Sequence, residues 1–220
     1  MPSDTPRDEK IKTRKKIKVR QSPDIEVDPS LGRAPDARVT VEDKAVFSFC
    51  RMNPPTKGHQ KLIDTIHNIA EEIKGTPLVF LSHTTGDKNN PLTYKEKFQL
   101  VREAFGDIVQ KSDVNNILDI IKDVSTKYNE LHIVVGEDQV DSLTRMLSRA
   151  SVASHLQGKP IFVHNAGRRT NIISEDLQSV SASRVREAAR SGNIELMKQL
   201  MPDNICEKSL KSTYNNIINT

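Results

Sequence analysis

From residue 45 onward the chain alternates short apolar runs with amphipathic segments, and this alternation constrains the fold more than any other feature. Ala45-Val46-Phe47-Ser48-Phe49-Cys50, Leu78-Val79-Phe80-Leu81, Leu131-His132-Ile133-Val134-Val135 and Pro160 to Val163 have the length and apolar content of buried strands. Between them, Leu62, Ile63, Ile66, Ile69, Ala70 and Ile73 recur at helical spacing, with Gly75 placed to end that helix. Tyr94 to Phe105, closed by Gly106, reads as a second amphipathic helix. Val114 to Tyr128 and Val140 to about Leu156 read as two more. Strands separated by helices of this length form βαβ units. With right-handed crossovers, the expected fold is α/β, a doubly wound, Rossmann-like parallel sheet with helices on both faces. After Ser181 the chain is helical to its end, with a break at Pro202.

The 220 residues suit one domain with additions. Residues 1–44 read as a separate, largely disordered arm, rich in proline and without sustained periodicity. Within it Lys10, Lys12, Arg14, Lys15, Lys16, Lys18 and Arg20 form a basic cluster, followed by Asp24, Glu26 and Asp28. Residues 10–20 are either a solvated tail or a tether to nucleic acid or an acidic protein surface. Residues 45–205 make the domain, and 206–220 a C-terminal helix or tail. Aromatic residues are 4% of the chain and Trp is absent, which argues against a stacking platform for single-stranded nucleic acid. Cys50 and Cys206 have no metal-ligand spacing and make no disulfide framework. No stretch reads as a signal peptide or a membrane span, so the expectation is a soluble, cytoplasmic protein with no membrane partner.

Chemistry concentrates in the turn after the first strand, Arg51-Met52-Asn53-Pro54-Pro55-Thr56-Lys57-Gly58-His59. In a parallel sheet, ligands sit at the carboxyl ends of strands near the topological switch point. The following helix offers free backbone N–H groups and a positive dipole end to an anion. Gly58 removes a side chain where a phosphate approaches the backbone. His59 and the Thr56 hydroxyl can each donate to a phosphoryl oxygen. Far downstream, Val180-Ser181-Ala182-Ser183-Arg184-Val185-Arg186 opens another helix. Ser181 or Ser183 can cap it, and Arg186 adds a planar fork suited to phosphate oxygens. Arg184 points elsewhere on that helix.

Thr56-Lys57-Gly58-His59 resembles the T/H-x-G-H signature of the adenylyl- and cytidylyltransferase superfamily, with Thr in the first position as in pantetheine-phosphate adenylyltransferases. Arg51-Met52-Asn53-Pro54 sits where many members carry G-R-F-x-P, with Cys50 here in place of the usual Gly. Ser181 to Arg186 resembles the superfamily's I-S-S-T-x-x-R. The likeness spans roughly residues 45–205. Leu81-Ser82-His83-Thr84 through Pro91-Leu92, Gly136-Glu137-Asp138 and Ser181 to Asn193 look most like segments of nucleotidyltransferase-like proteins of tailed bacteriophages. If the chain is phage-encoded, the expected location is the host cytoplasm, with virion association open.

The resemblance implies a nucleotidyltransferase. It would transfer AMP, more than CMP, from ATP or CTP to a small phosphorylated acceptor and release pyrophosphate. His59, Thr56 and Arg186 are then the catalytic set. Arg51, Asn53, Lys57, Gly58, Gly136, Asp138, Ser181 and Ser183 are nucleotide-binding candidates. Asp138 could orient magnesium or ribose, or simply cap its helix. His83, Lys88 and Asn90 follow the second strand and either contact the acceptor or form a polar surface loop. Arg168 and Arg169, after the last strand, either reach phosphate or are solvated. Magnesium (Mg2+) would bridge the phosphates, mostly through water, with no protein metal site. The alternative is an inactive structural or interaction protein of this fold, a virion or assembly component tethered by its basic arm. A homo-oligomer fits either reading.

Overall fold

The apolar runs pair side by side into a five-stranded parallel sheet in the order β3-β2-β1-β4-β5. The computed structural model describes residues 43–149, 158–167 and 180–220. The strands are β1 (Lys44–Cys50), β2 (Thr76–Leu81), β3 (Val109–Gln110), β4 (Glu130–Val135) and β5 (Ile161–Asn165). The helices are α1 (Lys57–Ile73), α2 (Tyr94–Phe105), α3 (Ile117–Lys127), α4 (Glu137–Leu147), α5 (Ala182–Arg190), α6 (Ile194–Leu200) and α7 (Glu207–Ile218). A 3-10 turn at Gly106–Ile108 joins α2 to β3.

Side chains alternate across β1 and β4, so one set of residues faces each helical layer. Val46, Val79, Leu81 and Val134 pack with Leu62, Ile63, Ile66 and Ala70 of α1 and Val101 of α2. Ala45, Phe47, Phe80, Leu131 and Ile133 pack on the opposite side with Ile120, Ile121 and Val124 of α3 and Leu143 of α4. Helices therefore cover both faces, and the doubly wound α/β fold expected from the alternation is the fold observed. The chain winds outward from β1 through β2 to β3, then crosses back to place β4 on the other side of β1. That reversal puts the switch point between the ends of β1 and β4, at Cys50 and Val135.

Differences from the sequence reading have local causes. Helix α1 ends at Ile73, and Lys74 rather than Gly75 takes the left-handed conformation (φ 55°). Helix α3 starts at Ile117 because Asn116 caps it, its side chain accepting from the Asp119 N–H. Strand β3 is only two residues long and was invisible as an apolar run. Helix α4 begins at Glu137, earlier than the expected Val140, and is described to Leu147. The arm up to residue 42, the end of the expected fourth helix, and Arg168 and Arg169 lie outside the described residues.

The C-terminal helices form a third core with α2, in which Leu100, Ala104, Val185, Met197, Leu200 and Ile217 are buried. Glu103 on α2 accepts from the Cys206 N–H (2.7 Å) and the Ser209 hydroxyl (2.7 Å), which ties down the start of α7. Residues 206–220 thus pack against the sheet-bearing part of the chain through α2. No helix among the described residues is long and apolar enough to cross a membrane.

Candidate active site

The β1–α1 turn leaves the sheet at the switch point and is held by hydrogen bonds that its own residues make. The Asn53 amide locks onto the Leu92 backbone, donating to its carbonyl and accepting from its N–H, each at 3.0 Å. Met52, 1% exposed, takes a left-handed φ of 43°, a strained conformation for a residue with a side chain. Its burial in the α1-side core holds it there.

Thr56 precedes the first residue of α1. Its backbone N–H donates to His59 Nδ1 (3.0 Å). Since a backbone amide can only donate, Nδ1 is the unprotonated nitrogen and the ring's proton sits on Nε2. His59 lies on the cleft wall, and the Thr56 hydroxyl also sits 2.9 Å from its Nδ1. The Thr56 hydroxyl donates to the Val180 carbonyl (2.8 Å), and Thr56 is wholly buried. The hydroxyl thereby clamps the two motifs together.

Gly58 makes the same junction. A Cβ on it would lie 2.4 Å from Val180 O and 3.0 Å from Val180 N. The neighbour that demands glycine here is therefore the backbone entering the second motif.

Arg186 reaches the turn from α5. It donates to Asn53 O (2.9 Å) and to Ser183 Oγ (3.0 Å) and is 8% exposed. No carboxylate forms an ion pair with it among the described residues. Burial lowers its pKa, the Arg190 and Arg51 charges lower it further, and Asp87 opposes them. A buried guanidinium without a paired anion makes this end of the sheet electropositive, which favours an anionic ligand. Ser181 occupies the N-cap of α5 but makes no capping bond through its side chain. Ser183 holds Arg186 rather than capping.

These groups line one cleft of about 690 Å³. Of the residues expected from sequence, Arg51, Asn53, Gly58, His59, Asn90, Gly136, Ser181, Ser183 and Arg186 all border it. Its far wall is apolar, with Phe49, Ile117, Val135, Leu143 and Met146.

The remaining expected residues go elsewhere. Lys57 pairs with Asp203 (2.8 Å) in the loop before α7. Asp138 is exposed in the first turn of α4, whose N-cap is Gly136. His83 stacks on Tyr94 (centroids 3.8 Å apart), and its Nε2 bonds Ser112 O at 2.6 Å, so its ring is committed to the start of α2 and the β3–α3 loop. Lys88 is exposed and does not line the cleft; its carbonyl accepts from Arg190. Asn90 is buried and donates to Asp87, whose carboxyl is lowered first by that bond.

Two residues at the site escape sequence reading. Lys97 is fully buried, and its ammonium donates to Ser82 O and to Thr84 O (3.4 Å). Burial lowers its pKa to about 8. Lys97, Leu100, Val101 and Ala104 stand at i, i+3, i+4 and i+7, so helical spacing does place Lys97 on the buried stripe. Ser82 is 6% exposed, and its Oγ has no hydrogen-bond partner among the described residues. A serine directly after a strand carries no such signal.

A parallel sheet with an anion-ready cleft at its switch point, built by a His on the first crossover helix and an Arg on a later one, is the frame of a nucleotidyltransferase-type α/β enzyme. Residues 49–188 match the model of the cytidylyltransferase-like family, more than half of the chain, and the chain belongs to that family. No curated protein sequence matches it. Among solved structures it is similar to a Vibrio parahaemolyticus protein described as a nicotinate-nucleotide adenylyltransferase: 17% identity, 80% of this chain and 97% of that one, TM-score 0.47. It is also similar to Thermotoga maritima TmcAL bound with alpha-thio ATP: 10% identity, 80% of this chain, TM-score 0.48. The match spans 55% of the latter's chain.

Proposed function

We propose that this protein transfers a nucleotidyl group, AMP in preference to CMP, from a nucleoside triphosphate to a small phosphate-bearing acceptor. The observation that carries the reading is the meeting of His59 and the buried Arg186 on one cleft, from motifs far apart in sequence. Thr56 and Gly58 clamp the two motifs through Val180, so the donors are set before any ligand arrives. The preference for adenine rests on Thr56 in the first motif position, a variant shared with pantetheine-phosphate adenylyltransferases.

In this mechanism a phosphate oxygen of the acceptor attacks the α-phosphorus. The bond from that phosphorus to its bridging oxygen breaks, and pyrophosphate leaves with the electron pair. His59 Nε2–H donates to the transferred phosphoryl group as charge builds on its oxygens. Arg186 and the open backbone N–H groups at the start of α5 hold the β- and γ-phosphates, with Arg51 at the cleft mouth. Asn90 borders the β2 side and is the retained candidate for the acceptor.

Among the described residues no Asp or Glu lines the cleft; the residues that do line it offer neutral hydroxyl, amide and carbonyl oxygens. Among the described residues no group of three or more His, Cys, Asp or Glu could hold a metal ion. Such a donor set would suit magnesium carried on the triphosphate, where the ion would neutralise phosphate charge.

The test is pyrophosphate release from ATP and from CTP with a panel of phosphorylated acceptors, for the wild type and His59→Ala. The expected result is release with one nucleotide and one acceptor, reduced about a hundredfold or more in the variant. Equal release from both proteins would refute the assignment of His59.

A further inference from the structure

Asn90 follows β2 on the wall of the cleft, 4% exposed, and all but one of its polar atoms are committed within the protein. Its N–H donates to the Asp87 carbonyl (2.8 Å) and carboxylate (3.0 Å), and its carbonyl accepts from the Gly86 N–H (2.9 Å). Its side-chain Nδ2 donates to both Asp87 carboxylate oxygens, at 3.2 and 3.0 Å. This orientation of the amide is forced, because an ionised carboxylate can only accept. The Asn90 side-chain bond, with those from the Asn89 and Asn90 N–H groups, holds the Asp87 carboxyl below its usual value, so it is ionised at neutral pH. Oδ1 stands at the other corner of the Asn90 amide and has no partner among the described residues, which leaves it as an acceptor on the cleft wall. Two more oxygens of buried residues on the same lining have none either, the hydroxyls of Ser82 and Ser48. Buried polar atoms without partners are costly, and a ligand that brings hydrogen-bond donors would satisfy them.

We propose that Asn90 selects the acceptor by accepting a hydrogen bond from a neutral hydroxyl on it, so that the acceptor is a sugar or polyol phosphate. An ionised phosphate oxygen only accepts and does not answer Oδ1, so the matching donor belongs to the organic part of the ligand. An ammonium group can donate, but Arg51 and Arg186 line the cleft and, among the described residues, no Asp or Glu does. A cationic ligand body would meet like charge there with nothing to offset it. Each hydroxyl of a polyol both donates and accepts, so one ligand can serve the amide oxygen and the serine hydroxyls on the same lining. Asp87 does not line the cleft. It is a positioning residue, which fixes the end of the Asn90 amide that faces the ligand. Calling that ligand the acceptor rests on the proposed function, whereas the direction of the amide does not.

Asp87→Asn tests this at an exposed position outside the cleft. The new amide oxygen keeps the bonds from the Asn89 and Asn90 N–H groups, but the new amide nitrogen meets Asn90 Nδ2. That contact favours a turned Asn90 amide with its N–H toward the cleft. Calorimetry on nucleotide-free wild type, Asp87→Asn and Asn90→Ala measures affinity for glycerol 3-phosphate, its dimethyl ether, propyl phosphate and phosphoethanolamine. Wild type should bind glycerol 3-phosphate about tenfold more tightly than each of the other three. In Asp87→Asn the ether, whose ether oxygens only accept, should come within about threefold of glycerol 3-phosphate, and Asn90→Ala should lose most of the preference over propyl phosphate. Equal wild-type affinity for glycerol 3-phosphate and propyl phosphate, tighter binding of phosphoethanolamine, or an unchanged preference in Asp87→Asn would overturn the proposal. The nucleotide's ribose carries the same hydroxyl chemistry, so ATP and dideoxy-ATP are titrated beside the esters. The ratio of their affinities should be the same in wild type and Asp87→Asn, and a change in it would assign Asn90 to the nucleotide and overturn its acceptor role. Failure of the transfer reading shows separately, as an absence of ATP binding rather than a flat ester series.

Discussion

Replacing Gly58 by Ala tests whether the two motifs form one site through direct backbone contact. The new Cβ would sit 2.4 Å from Val180 O, where ordinary contact begins near 3.4 Å. Both partners are backbone, so no side-chain rotation relieves the overlap, and α1 and the Val180 segment must part by roughly 1 Å. Overpacking of this kind costs about 1–3 kcal/mol. In a domain of this size that lowers Tm by about 2–12 °C. The functional loss should be larger than the stability loss, because the shift separates His59 from Arg186. A displacement of about 1 Å in positioned groups can cost on the order of a hundredfold in turnover. The assay is a thermal melt beside nucleotide titration at a temperature where both proteins are folded. Wild-type Tm together with wild-type nucleotide affinity would refute the contact and its role.

Thr56→Val deletes the donor to Val180 O, so a buried carbonyl loses its partner, and unfolding free energy should fall by about 1–3 kcal/mol, whereas Thr56→Ser should stay near wild type in denaturant melts. Lys97 has a folded pKa of about 8 against an ordinary 10.5, so between these values the unfolded chain binds more protons and stability rises with pH. Wild type should therefore gain stability relative to Lys97→Met as pH rises from about 8 to about 10, and a constant difference would contradict the buried ammonium. Glu103→Ala should release the start of α7, seen as faster amide exchange over residues 207–218 with the sheet unchanged. Glu103 is held below the usual carboxylate value: burial pushes it up, but the Cys206 and Ser209 bonds outweigh that. Its contribution is thus present above the ordinary carboxylate pKa and is lost as pH falls through the lowered one, so the same exchange should appear on acidification.

The parts of this architecture that were legible in sequence rest on local pattern. Four of the five strands are apolar runs of ordinary length, and the α1 stripe of Leu62, Ile63, Ile66 and Ala70 is a helical period. The β3 strand pairs only Val79 with Val109 and Phe80 with Gln110, too short for periodicity to register. His59 and Arg186 could be singled out because their motifs are contiguous. What Thr56 and Gly58 touch could not, since Val180 is remote in sequence and its backbone atoms carry no residue signature. His83 and Lys88 stand at a strand's carboxyl end, which made them candidates, but the Tyr94 ring and the Ser112 carbonyl draw His83 aside. Lys57 shows the same limit, because Asp203 reaches it from a distant loop. Lys97 was legible in principle: its place on the stripe of Leu100, Val101 and Ala104 outweighs its charge.

Calorimetric titration of ATP with magnesium into wild type, His59→Ala and Arg186→Met addresses the central claim, that these two residues serve one triphosphate site. The account predicts binding by the wild type, weakened about tenfold or more in each variant, with the double variant losing less than the two single losses combined. Unchanged affinity in both variants, or losses that simply add, would contradict a shared site.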